Sequence, residues 1–227
     1  MIAGVVTEGS RDFPIFEAVI KQLCPTVQDV KLIHPPGDEL SARRWGDGGT
    51  TGWTGVRRWC RRWGPRLTRF MNYGEPLDLL VIAVDATIAH NEAINLERPC
   101  PPASDTTDAL RDLVVQWMGC QPPHNVIVVV PSKTPDAWVC AALMGGDNLL
   151  ECEPEPLEKL VSVQDLYPPF GFRLKRRPDG RAKKPTSKQY RIHLAPRVAA
   201  HFDQVRGICG EAERFAREVQ VQCCGEG

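Results

Sequence analysis

The chain opens on an apolar run, Ile2–Val6, that gives way to Thr7-Glu8-Gly9-Ser10. That pattern predicts a buried strand ending in a turn. Asp12 is placed to cap the helix that follows, with Pro14 tolerated in its first turn. Phe13, Phe16, Val19, Ile20 and Leu23 keep helical spacing until Pro25 stops it. Residues 27–33 read as a second strand. Residues 35–55, rich in Gly, Pro and Thr, read as a loop. Residues 56–70 are arginine-rich and broken only by Gly64-Pro65, which predicts one or two short basic helices. Residues 77–84 are nearly all apolar and predict a strand covered on both faces, ending at Asp85. Asp105 can cap a helix whose stripe is Leu110, Leu113, Val114 and Trp117, closed by Gly119. Residues 125–130 predict another buried strand. It leads through Pro131-Ser132-Lys133-Thr134-Pro135 into a helix with Thr134 as N-cap, ended by Gly145-Gly146.

Strands alternating with helices are the signature of an α/β fold with an open, Rossmann-like parallel sheet flanked by helices. Right-handed crossovers bring the strand C-termini to one edge, where such sheets bind ligands. Glu8, Asp85 and Lys133 each follow a predicted strand and are therefore candidates for one site. Beyond residue 150 the pattern changes to a polar linker at 151–156 and a basic, proline-punctuated stretch at 171–190. A long amphipathic helix is predicted over 196–219, with Phe202, Val205, Cys209, Ala212, Phe215 and Val219 on its apolar face. The division this gives is an α/β domain over 1–150 and, over 151–227, a basic loop and C-terminal helical appendage packed on the same core.

Composition adds limits. With 42% hydrophobic and 25% charged residues, the chain is an ordinary globular one. No apolar run approaches the roughly 20 residues that span a bilayer, and no basic-then-apolar leader opens the chain. A cytoplasmic protein with no membrane partner is expected. Nine cysteines at irregular spacing, without a CxxC pair, predict reduced and mostly buried thiols. The net charge of zero hides segregation. Residues 41–70 hold eight arginines against Asp47 alone, residues 173–197 hold ten Lys/Arg against Asp179 alone, and the stretch between is acidic. Two basic blocks around an acidic middle suit a polyanion-binding surface beside a metal site. The alternative is solvated faces whose charges pair with that middle.

Glu8 in a strand-to-helix turn and Asp85 at a later strand end form a donor set that Mg²⁺ or Mn²⁺ uses, with waters and substrate phosphate completing the shell. Val5-Val6-Thr7-Glu8-Gly9-Ser10-Arg11-Asp12 resembles the first motif of TOPRIM domains, and Val81-Ile82-Ala83-Val84-Asp85-Ala86-Thr87 resembles their second. The resemblance covers roughly residues 1–145. It is to TOPRIM-like proteins encoded beside ATPases in bacterial defence and repair loci, in which a segment similar to that around Asp136-Ala137-Trp138 follows the last strand. It implies metal-dependent phosphodiester cleavage of nucleic acid, an ATPase partner, and a chain whose self-association stays open. Glu8 would be general acid/base or metal ligand, Asp85 the principal metal ligand, and Lys133 the cation that stabilises the transition state. Arg57, Arg58, Arg61 and Arg62, with Lys175, Arg176, Arg177, Lys183 and Lys184, would hold the backbone without reading sequence. Trp45, Trp53, Trp59 and Trp63 would stack on unpaired bases. The sequence departs from the family at Thr87, which stands where the second motif has its second aspartate and brings an oxygen to the metal site but no charge; His90 or Glu92 could compensate. Tyr190-Arg191 is a further candidate nucleic-acid contact.

Simpler roles compete with these: Glu8 and Asp136 as acids in helix first turns, Asp85 as a turn cap, Lys133 as a surface lysine, the tryptophans as packing. On the same fold, a degenerate site at Thr87 would give a non-catalytic interaction or nucleic-acid-binding subunit. A dinucleotide-binding enzyme fits least, because the first turn has no GxGxxG and Glu8 would repel a pyrophosphate.

Overall fold

A strand with no polar face needs cover on both sides, and every residue of Leu79–Ala83 and Val126–Val129 is buried. The computed structural model, which describes residues 1–36, 51–96, 102–145, 151, 178 and 185–224, supplies that cover. Strands β1 (Ile2–Val6), β2 (Asp29–His34), β3 (Leu79–Ala83) and β4 (Val126–Val129) form one parallel sheet in the order β2-β1-β3-β4. Ala3 pairs with Leu79, and Leu80 with Val126. The helices are α1 (Phe13–Leu23), α2 (Trp53–Trp63), α3 (Leu67–Met71), α4 (Ala103–Met118), α5 (Asp136–Met144), α6 (Ala195–Ala200), α7 (Phe202–Ile208) and α8 (Gly210–Cys224). A helical turn, Ser187–Gln189, and a π-helical turn, Tyr190–Leu194, lead into α6.

The pleat sorts side chains into two cores. Ala3, Val5, Leu79, Val81, Ala83, Ile127 and Val129 pack with α1, α5 and the C-terminal helices. Val6, Leu80, Ile82, Val126 and Val128 pack with α2, α3 and α4. The first core centres on Trp138, whose ring lies 5.6 Å from Phe16 and 5.8 Å from both Phe202 and Phe215. The C-terminal helices are thus part of the layer that covers the sheet. In the second core the backbones of two helix ends nearly touch. A Cβ at Gly64 would stand 2.1 Å from the Met118 carbonyl oxygen, so only glycine fits.

Several elements differ from expectation. The strands are trimmed at their ends, β2 beginning at Asp29 and β3 at Leu79. Helix α4 begins at Ala103, which leaves Asp105 in its first turn instead of at the cap. Helix α5 begins one residue later than expected, with the Thr134 hydroxyl accepting the Asp136 N–H at 3.2 Å. The single helix predicted over 196–219 is three. Cys209 takes extended angles (φ −106, ψ 109), and the Gly210 N–H that opens α8 donates to the Glu151 carboxylate. The apolar face continues through the breaks, which is why spacing alone does not mark them.

The thiols also need correction. Cys24, at the end of α1, is joined to Cys223, near the end of α8, by a disulfide. Cys60, Cys140 and Cys209 are free and buried, and Cys120 is free and half-buried. Burial pushes the Cys60 and Cys209 thiols up to about 12. Among the described residues no helix is long and apolar enough to cross a membrane.

Candidate functional site

The parallel register brings the turns after β1, β3 and β4 to one edge, where hydrogen bonds join them. After β1, the Thr7 hydroxyl donates to the Gly9 carbonyl at 2.9 Å and tightens the turn that carries Glu8. Glu8 then reaches across the sheet, and its Oε1 accepts the Asp85 N–H at 2.8 Å. The chain past β3 is tied to the chain past β4. Ala86 N–H donates to the Pro131 carbonyl and Thr87 N–H to the Lys133 carbonyl, both at 3.1 Å. Glu8 and Asp85 are half-buried, while Thr87 is exposed at the start of a 3₁₀ turn, Ala86–His90. Sequence reasoning named these three turns one by one; their linkage belongs to the fold.

Lys133 is not an ordinary surface lysine. The residue is only 9% exposed, and its backbone is left-handed, with φ 64. That region costs a non-glycine residue on the order of 1 kcal/mol or more. Among the described residues its ammonium has no hydrogen-bond or ion-pair partner.

Three residues after Lys133, Asp136 is 4% exposed in the first turn of α5 and accepts a hydrogen bond from the Tyr190 hydroxyl. Burial, then the charges of Asp136 and Asp12, hold the Tyr190 phenol well above its usual range. Tyr190 is thereby corrected from a candidate nucleic-acid contact to a buried anchor. The neighbouring Arg191 pairs with Glu17 at 2.8 Å and lies over the Phe13 ring. No local signal joins positions 136 and 190, so the pair was not legible in the sequence.

The arginine helix starts beside Glu8, because the Gly52 N–H donates to the Glu8 carbonyl at 2.7 Å. Arg58, Arg61 and Arg62 share an exposed face that Arg66 and Arg69 extend past the end of α2. Arg58, Arg61, Arg66 and Arg69 form no ion pair among the described residues. From Gly52, α2 carries Arg58 about 9 Å and Arg62 about 15 Å along its axis. Arg57 is half-buried over the rings of Trp53 and Trp117, 6.0 Å from each.

The tryptophans pack inward. Trp59 is buried edge-on to Phe70, Trp63 tilts against Phe70, and Trp53 stacks on Trp117. That occupies the faces the base-stacking expectation required of these three; Trp45 lies outside the described residues, as do Lys175, Arg176, Arg177, Lys183 and Lys184. His90 and Glu92 are exposed.

Among the described residues no three His, Cys, Asp or Glu side chains gather as a metal site. Glu8, Asp85 and Thr87 lie at this one edge of the sheet. No protein-family model, curated protein or solved structure matches the chain.

Proposed function

We propose that the chain is a TOPRIM-type protein that binds nucleic acid along the arginine face and carries out metal-dependent phosphodiester cleavage at Glu8 and Asp85. The observation that carries this reading is the hydrogen bond from the Asp85 N–H to Glu8 Oε1, 2.8 Å long. It joins the two acids of the motif pair at the sheet edge where α/β folds bind ligands. Glu8 and Asp85 would hold a Mg²⁺ or Mn²⁺ ion, and Thr87 would hydrogen-bond one of its waters. The bound ion supplies Lewis-acid polarisation of the phosphoryl group. Glu8, anchored by the Asp85 N–H, acts as general base toward the attacking water, and the leaving oxygen takes its proton from solvent. The Lys133 ammonium offsets charge that builds on the phosphoryl oxygens. Arg58, Arg61, Arg62, Arg66 and Arg69 neutralise successive phosphates, so affinity falls with salt by a log–log slope of about −0.9 per duplex contact. An ATPase partner and a cytoplasmic setting belong to the same reading.

A second reading, a non-catalytic nucleic-acid-binding subunit, is favoured by the exposed, uncharged Thr87 and by the absence of a third acid among the described residues. One assay separates the two: cleavage of single-stranded and duplex DNA with Mg²⁺ or Mn²⁺ by the wild type, Glu8→Ala and Asp85→Ala. Under the nuclease reading each variant loses at least 100-fold in rate and keeps wild-type DNA affinity. No wild-type cleavage, with binding that Arg58→Ala/Arg61→Ala abolishes, would establish the second reading.

A further inference from the structure

Beside the Glu8–Asp85 edge lies a small polar crevice, between the turn after β4 and the first turns of α4. Ser132, Lys133, Ala103, Thr106, Thr107 and Glu151 are among the residues that line it. It holds about 10 Å³, room for about one water-sized group. Helix α4 has 16 residues, and Pro102 at its N-cap brings no side-chain acceptor. Its first N–H groups carry the partial positive charge of a helix start, with no side-chain cap from Pro102. Asp105, the acid of that first turn, is exposed. One Glu151 oxygen is engaged by the Gly210 N–H, and the Thr107 hydroxyl donates to the Ser104 carbonyl at 3.1 Å.

The independent observation is Lys133. More than nine-tenths buried, it lines the crevice with an ammonium that has no hydrogen-bond or ion-pair partner among the described residues. The ammonium itself still reaches solvent, so it is open to a ligand, and the residue stands in a backbone conformation that glycine would adopt freely. An anion at that point gives the ammonium a counter-charge. We propose that this crevice seats one non-bridging oxygen of a nucleic-acid phosphate, held by the Lys133 ammonium, the Ser132 hydroxyl and the α4 N-terminus. The small volume leaves the rest of the ligand outside the crevice. The phosphate's owner rests on the phosphodiester reading above; the oxyanion seat does not.

The test is ¹H–¹⁵N NMR of the full chain without divalent metal. Inorganic phosphate is titrated against chloride at constant ionic strength, followed by a single-stranded oligonucleotide. Both ligands should shift the amides of Ala103, Ser104 and Ser132. Lys133→Gly and Lys133→Met should weaken the phosphate response at least 10-fold, while Lys133→Gly melts no lower than wild type. Absent shifts, shifts confined to the arginine face, or an unchanged response in both variants would overturn the seat. So would a Lys133→Gly protein that melts lower yet responds normally, since Lys133 would then only pack. Response to phosphate but not to the oligonucleotide would overturn the nucleic-acid assignment. Failure of cleavage with this response intact would sink the nuclease reading alone; cleavage without the response would sink the seat alone.

Discussion

At the scale of single residues, the pair that most rewards a substitution is Tyr190–Asp136. A buried carboxylate is tolerated only when its lone pairs find donors, and the Tyr190 hydroxyl is such a donor for Asp136. Tyr190→Phe keeps the ring and removes the donor, so it should cost about 1–3 kcal/mol in urea unfolding at pH 7. The pH dependence has a definite sign. The folded-state phenol lies above its ordinary value of 10.0, first through burial and then through Asp136. Its contribution is therefore complete below about pH 10 and is lost as the solution is made more alkaline. The wild type should lose stability from that pH upward, and Tyr190→Phe should lack that part of the decline. An alkaline limb identical in the two proteins would mean that the phenol ionises as freely in the fold as out of it.

At the scale of elements, α8 is fastened to the sheet edge and to α4 by charge as well as by apolar packing. Glu211, 2% exposed, accepts from Arg111 at 2.8 and 2.6 Å and from Arg214 at 2.7 Å. Arg214 also donates to the Val128 carbonyl, which closes part of the outer edge of β4. Glu211→Gln keeps the shape and leaves two largely buried guanidiniums without their shared carboxylate. It should destabilise by about 3–5 kcal/mol, with faster amide exchange along α8 than along α1. The Lys21–Glu17 pair, more open to solvent, is worth far less. This contrast also marks what the sequence could disclose. Strands β3 and β4 were legible because every position is apolar, and Glu8 and Asp85 because each directly follows such a run. The breaks at His201 and Cys209, the left-handed Lys133 and the Glu211 cluster were not, because each is decided by what docks against it. Periodicity reports which face is buried, not which charge waits on the other side.

At the scale of the whole molecule, the Cys24–Cys223 disulfide spans 199 positions and joins the end of α1 to the end of α8. Cysteine spacing gave no sign of it, since the pairing depends on the last helix folding back over the first. Cys223→Ser should lower stability by about 2–4 kcal/mol under non-reducing conditions and have no effect once a thiol reductant is present. An equal loss with and without reductant would show that the bond contributes through packing alone. Topologically, the fold is close to a ring. Met1 is hydrogen-bonded to the Thr26 carbonyl, two residues past Cys24, so β1 starts beside the disulfide that holds the end of α8. A protease that cut once in the long middle of the chain would open the ring without parting it, and the two pieces would still travel as one.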